Sequence, residues 1–185
     1  MSWSLAAKRY RIPLGFLLSA LYLALVRPTR ESLMIGAPVA FLGVLIRAWA
    51  SGHIMKNDRL ATSGPYAFTR NPLYVGSLLI AVGFALVAHW AVVLGVAAFF
   101  LLIYAPTIAR ERANIENRFP AAYEQYAANV PAFIPRLTPW RNDALGTSMH
   151  FSPSLYLRHG EWKAALAYVA ATIWLLLRLR GGSPL

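Results

Sequence analysis

The apolar residues of this 185-residue chain come in blocks, not in the single stripe that a soluble amphipathic helix turns toward a core. Five blocks stand out: Ile12 to Val26, Leu33 to Ala50, Leu73 to Ala88, Trp90 to Pro106 and Ala164 to Leu177. Each holds 14 to 18 residues, slightly short of the roughly 20 that cross a hydrocarbon core. Flanking Trp, Tyr and Arg, or local thinning of the bilayer, would complete each crossing. The pattern predicts an all-α, polytopic membrane helix bundle of about five transmembrane helices plus cytoplasmic interfacial helices. It forms a single membrane domain over residues 1–185, with the stretch 164–180 as an additional C-terminal membrane or interfacial helix.

The connections sharpen this picture. The first block follows Lys8, Arg9 and Arg11 and is followed by Arg27-Pro28-Thr29-Arg30 in place of a small-residue cleavage site, so it reads as an uncleaved anchor. Only His89 separates the third and fourth blocks, which therefore form a tight antiparallel hairpin. Gly36, Ala40 and Gly43 in the second block, and Gly76 and Gly83 in the third, offer small surfaces for close helix approach. Pro131, Pro135, Pro139 and Pro153 mark an irregular connection before the last block.

Charge then orients the bundle. There are 18 Lys and Arg against 7 Asp and Glu, a net charge of +11, although charged residues make up only 14% of the chain and hydrophobic ones 58%. A basic nucleic-acid-binding domain would carry that charge on a mostly polar surface, so no nucleic-acid partner is expected. With the N-terminus inside, Lys8, Arg9, Arg11, Lys56, Arg59, Arg70 and the seven cations from Arg110 to Lys163 fall on the cytoplasmic side, as short basic loops do. This predicts an integral protein of a bacterial-type inner membrane, the lipid bilayer being its principal partner. The absence of cysteine removes thiolate chemistry, and four scattered histidines argue against a metal site.

Two polar segments flank the hairpin. The first runs Ser63-Gly64-Pro65-Tyr66-Ala67-Phe68-Thr69-Arg70-Asn71-Pro72-Leu73-Tyr74-Val75-Gly76. Gly64-Pro65 signals a turn, and Asn71-Pro72 suits a helix start with Asn as the cap and Pro in the first helical position. Arg70 beside that start is either a topology charge or an anion ligand. The second runs from Arg110 to Tyr126, where Ile115, Phe119 and Tyr123 recur every four residues, as in a helix lying on the membrane surface. Glu111 lies one turn beyond the hairpin's end.

Residues 42–136 resemble the isoprenylcysteine carboxyl methyltransferase and phospholipid methyltransferase family of integral membrane enzymes. The family's first motif, roughly S-G-P-Y-x-x-x-R-H-P-x-Y-x-G, is matched by Ser63, Gly64, Pro65, Tyr66, Arg70, Pro72, Tyr74 and Gly76. The second, roughly E-E-x-x-L-x-x-x-F-G-x-x-Y-x-x-Y, is matched by Glu111, Phe119, Tyr123 and Tyr126, with Ile115 for Leu. The resemblance implies S-adenosylmethionine as methyl donor, held by Tyr66, Arg70, Asn71, Pro72, Leu73, Tyr74, Gly76 and Glu111. It implies a lipophilic small-molecule or lipid acceptor, prenylated or otherwise lipidic, with a carboxylate as the expected acceptor group. Glu111 and Arg112 are the catalytic candidates. The chain departs from the pattern at Asn71, where the family has His, at Arg112 for the second Glu, and at Pro120 for Gly. Asn71 keeps hydrogen-bonding ability but no acid–base role, and Arg112 becomes a candidate for gripping a carboxylate.

Outside the motifs, Arg47, His53, Tyr126, His159 and Glu161 are candidates for the acceptor side. The plainer alternatives are a snorkelling Arg47, a solvated loop His53 and an interfacial collar at His159 and Glu161. Two other functions remain open. An NADPH-dependent membrane reductase of the sterol-reductase type carries a similar R-H-P-x-Y-x-G segment, usually followed by an acidic residue where this chain has Ser77. A non-catalytic lipid-binding or scaffold protein would keep the fold alone.

Overall fold

A computed structural model describes residues 3–55, 59–142 and 150–181. Lys56, residues 143–149 of the Pro-rich connection and the four C-terminal residues lie outside the described set, as do the side chains of Lys8 and Arg11. Every regular element among the described residues is helical: α1 (Trp3–Leu25), α2 (Arg30–Ser51), a short 3-10 turn (Gly64–Ala67), α3 (Pro72–Ala88), α4 (Trp90–Phe99), a π turn (Phe100–Tyr104), α5 (Ala105–Arg118), α6 (Pro120–Asn129), α7 (Pro153–His159) and α8 (Trp162–Gly181). All five apolar blocks are helical. Three stretches, Arg30–Ser51, Trp90–Arg118 and Trp162–Arg180, are long and apolar enough to cross a membrane, and Ile12–Leu25 and Pro72–Ala88 are shorter apolar helices. The chain is an all-α membrane helix bundle. The last block, open between span and interfacial helix on sequence grounds, has the length and hydropathy of a span.

The second polar segment differs from expectation. Its four-residue spacing predicts one surface helix carrying Ile115, Phe119 and Tyr123, but α5 stops at Arg118, Phe119 leaves helical geometry (φ −133°, ψ 57°), and α6 starts afresh at Pro120. Proline disfavours helical backbone in the residue before it and suits the first position of the next helix. Moreover, α5 continues the fourth apolar helix through the π turn, giving one 29-residue run from Trp90 to Arg118. At 1.5 Å per residue that run is about 44 Å long, so its polar end projects beyond a core roughly 30 Å thick. Within the turn region, the buried Thr107 hydroxyl donates to the Ile103 carbonyl at 2.8 Å. His89, in extended backbone, caps α4 by accepting from the Ala91 amide at 3.2 Å.

The chain forms two compact units, Met1–Phe41 with Leu79–Ala113 and Ala167–Leu185, and Leu42–Leu78 with Asn114–Leu166. In the first, Val26, Leu33, Val87 and Leu175 form the core, with Tyr22, Ala37, Phe84, Ala88 and Leu179 against it. Polar side chains there spend their donors on backbone carbonyls: Tyr22 on Phe84 at 2.6 Å, Tyr168 on Ala37 at 3.2 Å, Trp174 on Leu23 at 3.2 Å. In the second unit the core is Tyr123, Tyr126 and Val130, covered by Leu60, Ala127 and Trp140.

The small residues meet as their pattern suggests. A Cβ on Gly36 would overlap the Gly83 carbonyl oxygen, and one on Gly83 would overlap the Ala40 amide nitrogen. In the second unit a Cβ on Gly76 would stand 2.7 Å from the Gly43 carbonyl oxygen. Backbone cannot turn aside as a side chain can, so overpacking here costs on the order of 1–3 kcal/mol or more. A Cβ on Gly95, by contrast, would meet nothing within 4 Å. Gly36→Val or Gly83→Val should therefore lower the thermal midpoint in detergent by several degrees, at roughly 2–4 °C per kcal/mol, while Gly95→Val leaves it unchanged; equal midpoints for all three would refute the close α2–α3 seam.

Candidate functional site around the start of helix α3

The first motif folds as a turn feeding a helix. Gly64 has φ +57°, a backbone region that L side chains rarely adopt, and its Cα lies against the His53 ring: a Cβ there would come within 2.6 Å of imidazole atoms. His53 is thus buried, not a solvated loop residue, with Nδ1 3.2 Å from the Ser63 hydroxyl and with Trp49 and Phe151 as aromatic neighbours. Pro65, Tyr66 and Ala67 are buried in the 3-10 turn. Asn71 precedes α3, and its carbonyl accepts from the amides of Tyr74 and Val75, both at 3.0 Å, so Tyr74 lies in the first turn as the Asn-Pro signal implies. The Asn71 side chain, however, reaches away from the helix: its amide donates to the Ala132 carbonyl at 2.8 Å.

That bond is one of a series. The segment after α6 is strapped to the motif along its length, with the Arg70 amide donating to Pro131 at 2.9 Å, the Arg136 amide to Phe68 at 3.0 Å and the Trp140 amide to Ala67 at 2.9 Å. The buried Thr69 hydroxyl lies within reach of two strap carbonyls, those of Ala132 at 3.2 Å and Phe133 at 3.1 Å. An irregular loop rich in proline has fewer amide donors to satisfy, and here several of its remaining backbone groups pair with the motif itself.

The two motifs meet at Arg70. Its Nη1 donates to the Tyr123 hydroxyl at 3.0 Å, and the guanidinium carbon lies 5.8 Å from that ring's centre. Its Nε is shielded from solvent and has no acceptor among the described residues. Tyr126 donates its hydroxyl to the Tyr66 carbonyl at 2.7 Å. Burial pushes the Tyr126 phenol well above its usual range, with Tyr66 adding to the rise and Arg70 opposing it, so Tyr126 stays a neutral donor.

Arg47, one turn before the end of α2, is held by four bonds. Nε and Nη2 fork onto the Glu161 carboxylate at 2.9 and 2.7 Å, and Nη1 donates to the Leu73 carbonyl at 3.4 Å and to the Ser77 hydroxyl. The Ser77 hydroxyl in turn donates to the Leu73 carbonyl at 2.8 Å. His159 also bonds to the end of α2, its Nδ1 3.1 Å from the Ser51 carbonyl oxygen. Arg47 and Glu161, both candidates for the acceptor side, thus satisfy each other, and the snorkelling alternative for Arg47 gives way to a defined partner.

Within one unit the structure therefore brings together Arg47, His53, Tyr66, Arg70, Asn71, Pro72, Leu73, Tyr74, Gly76, Tyr126, His159 and Glu161. Gly76 serves packing: its missing side chain leaves room for the Arg47 stem and the Gly43 carbonyl. Glu111 and Arg112 lie on α5 in the first unit, Glu111 half-buried and Arg112 exposed. The sequence marks Tyr123 as a motif match and as part of an apolar stripe, but not as a site residue, although it is the residue on which Arg70 rests. Its three-residue spacing from Tyr126, which puts both on one helix face, is the signal that could have found it. Ser77 and the strap carbonyls carry no such signal. Among the described residues no group of His, Cys, Asp and Glu is placed to hold a metal ion.

Several known proteins are similar to this chain. The chain is 38% identical to the cobalt-zinc-cadmium resistance protein CzcN of Cupriavidus metallidurans over 74% of its length and 62% of the relative's. It is 31% identical to the nickel-cobalt-cadmium resistance protein NccN of Alcaligenes xylosoxydans xylosoxydans over 77% of its length and 61% of the relative's. It is also 31% identical to the protein-S-isoprenylcysteine O-methyltransferase of Schizosaccharomyces pombe, over 66% of the chain and 48% of the relative. The chain thus spans about three fifths of the length of the first two relatives. No solved structure matches. The phospholipid methyltransferase pattern matches residues 11–122, which include the whole first motif and the start of the second, and the chain belongs to that family.

Proposed function

We propose that the chain transfers a methyl group from S-adenosylmethionine to a lipidic or prenylated acceptor, on the cytoplasmic side of a bacterial-type inner membrane. Family membership supports the reaction class. The observation that carries the donor assignment is Arg70, fixed through Nη1 on Tyr123 while its shielded Nε has no acceptor among the described residues. A guanidinium held on one side with a donor to spare suits the carboxylate of an amino-acid-bearing ligand. The start of α3, at Asn71, Pro72 and Leu73, is the positive end of a helix and favours negative charge at the same place. Tyr74, in the first turn of α3, offers aromatic surface for a nucleoside, and Tyr66 is buried in the turn that leads to it.

S-adenosylmethionine supplies, when bound, a methyl group activated on a sulfonium. The protein's part is to hold donor and acceptor in line and keep water out. The sequence pattern alone assigns Glu111 to orienting that cationic centre and Arg112 to gripping a carboxylate. A carboxylate acceptor needs no base. An amine or hydroxyl acceptor does, and Glu111 is the candidate for that role. On the acceptor side, Arg47, Glu161 and Tyr126 already spend polar atoms within the protein, so their proposed contribution is to shape and not to a free polar contact; His53 and His159 are the remaining acceptor-side candidates.

Calorimetry on the purified protein in detergent, titrating S-adenosylhomocysteine and NADPH in parallel, tests the cofactor. Binding of S-adenosylhomocysteine alone is expected; NADPH alone would establish the reductase alternative, and neither would leave a scaffold. Arg70→Ala should weaken S-adenosylhomocysteine about 10- to 100-fold, the loss of a charge-assisted bond of roughly 1.5–3 kcal/mol, with Arg70→Lys in between. An unchanged affinity would move the donor site elsewhere. Arg112→Glu should reduce turnover or donor affinity, and a variant equal to wild type in both measurements would remove Arg112 from the reaction.

A further inference from the structure

The strap between α6 and α7 holds two large apolar side chains that the fold leaves uncovered. Ile134 is 82% exposed and Leu137 99% exposed, outside any helix, whereas Val130 at the start of the same segment is 1% exposed. In a loose loop this would be ordinary, but the segment is pinned on both sides of Ile134: Ala132 and Phe133 accept from Thr69 and Asn71, and the Arg136 amide donates to Phe68. The Trp140 amide, bonded to Ala67, fixes the stretch after Leu137. Two apolar side chains are therefore held out from the protein by a backbone that cannot fold them back.

The same residues fix where the tip lies. The strap is bonded to residues 67–71, which lead directly into the apolar helix α3 at Pro72. The Arg47 cluster ties the first turns of α3 to the end of α2 and the approach to α8, both long enough to span. Three apolar helices thus terminate beside the motif, and the ends of helices that cross a membrane lie where hydrocarbon gives way to headgroups. Residues 130–142 carry Arg136 and Arg141 and only Asn142 and Thr138 as further polar side chains, with no acidic residue. Apolar side chains flanked by arginine are the composition of an interfacial anchor, the cations facing anionic headgroups.

We propose that residues 133–137 form an interfacial anchor that inserts Ile134 and Leu137 into the boundary between headgroups and acyl chains of the adjoining leaflet. The partner is the phospholipid bilayer itself, with anionic headgroups beside Arg136 and Arg141. The anchor fixes the depth of the first motif relative to the leaflet, and it stands whether or not the protein transfers methyl groups.

Because the chain has no cysteine, single-cysteine variants accept one nitroxide label each. Ile134→Cys and Leu137→Cys would be reconstituted in vesicles of phosphatidylcholine and phosphatidylglycerol, alongside Glu124→Cys on the exposed face of α6 and Leu94→Cys on the exposed face of α4. The ratio of collision with oxygen to collision with a water-soluble nickel chelate should be several-fold higher at positions 134 and 137 than at 124, approaching that at 94. A ratio equal to that at 124 would place the tip in water. Poor access for both reagents with an immobilised spectrum would place it against protein. Either result overturns the anchor.

Discussion

An arginine near the end of an apolar helix cannot be left alone, and the way Arg47 is satisfied organises the unit that carries the first motif. Its side chain is about three-quarters shielded and that of Glu161 more so, a setting in which an unpaired charge is costly. The fork onto Glu161 uses the planar geometry that only arginine offers, and the remaining nitrogen takes the Leu73 carbonyl and the Ser77 hydroxyl. One side chain on α2 thereby fixes the first turn of α3 and the approach to α8. Because Leu73 lies between Pro72 and Tyr74, this contact also sets the start of the helix on which the proposed donor site depends. Gly76 allows it, since any side chain there would collide with the Arg47 stem and the Gly43 backbone.

From that fixed point the rest of the second unit follows by backbone satisfaction more than by apolar burial. The motif between the 3-10 turn and α3 is short, and its polar groups would be stranded if nothing covered them. The strap covers them, and α6 supplies the apolar floor, with Tyr126 bonded to Tyr66 and Tyr123 beneath Arg70. Arg70 is therefore positioned from two directions, by its amide on Pro131 and by its side chain on Tyr123. A guanidinium so constrained loses little freedom on meeting a ligand, which is the physical basis for placing the donor's carboxylate there.

Much of this is legible in the chain, for identifiable reasons. The helices are, because their hydropathy is block-like and lipid demands helical backbone. The α2–α3 seam is, because Gly36, Ala40, Gly43, Gly76 and Gly83 have no other evident use. The Gly64 turn and the α3 start are, because their residue types have narrow backbone preferences. The break at Phe119 is written in Pro120, yet the four-residue aromatic spacing across it points to a continuous helix, and the proline's steric demand wins. Pairings at long separation cannot be read in this way. Arg47 and Glu161 stand 114 residues apart, and nothing local to either names the other. The burial of His53 depends likewise on Gly64 and Phe151 closing around it.

Two of the three departures from the family pattern have a physical account within this chain. Asn71, in place of His, donates to the Ala132 carbonyl and so holds the strap through a neutral amide. Pro120, in place of Gly, ends α5 and restarts the chain as α6, the helix whose buried face presents Tyr123 to Arg70 and Tyr126 to Tyr66. Both residues take part in the scaffold around Arg70. Arg112 is different in kind: it is exposed on α5 and reverses a charge, which no packing argument explains. The proposed grip of Arg112 on a carboxylate is therefore a matter of its charge and not of its packing.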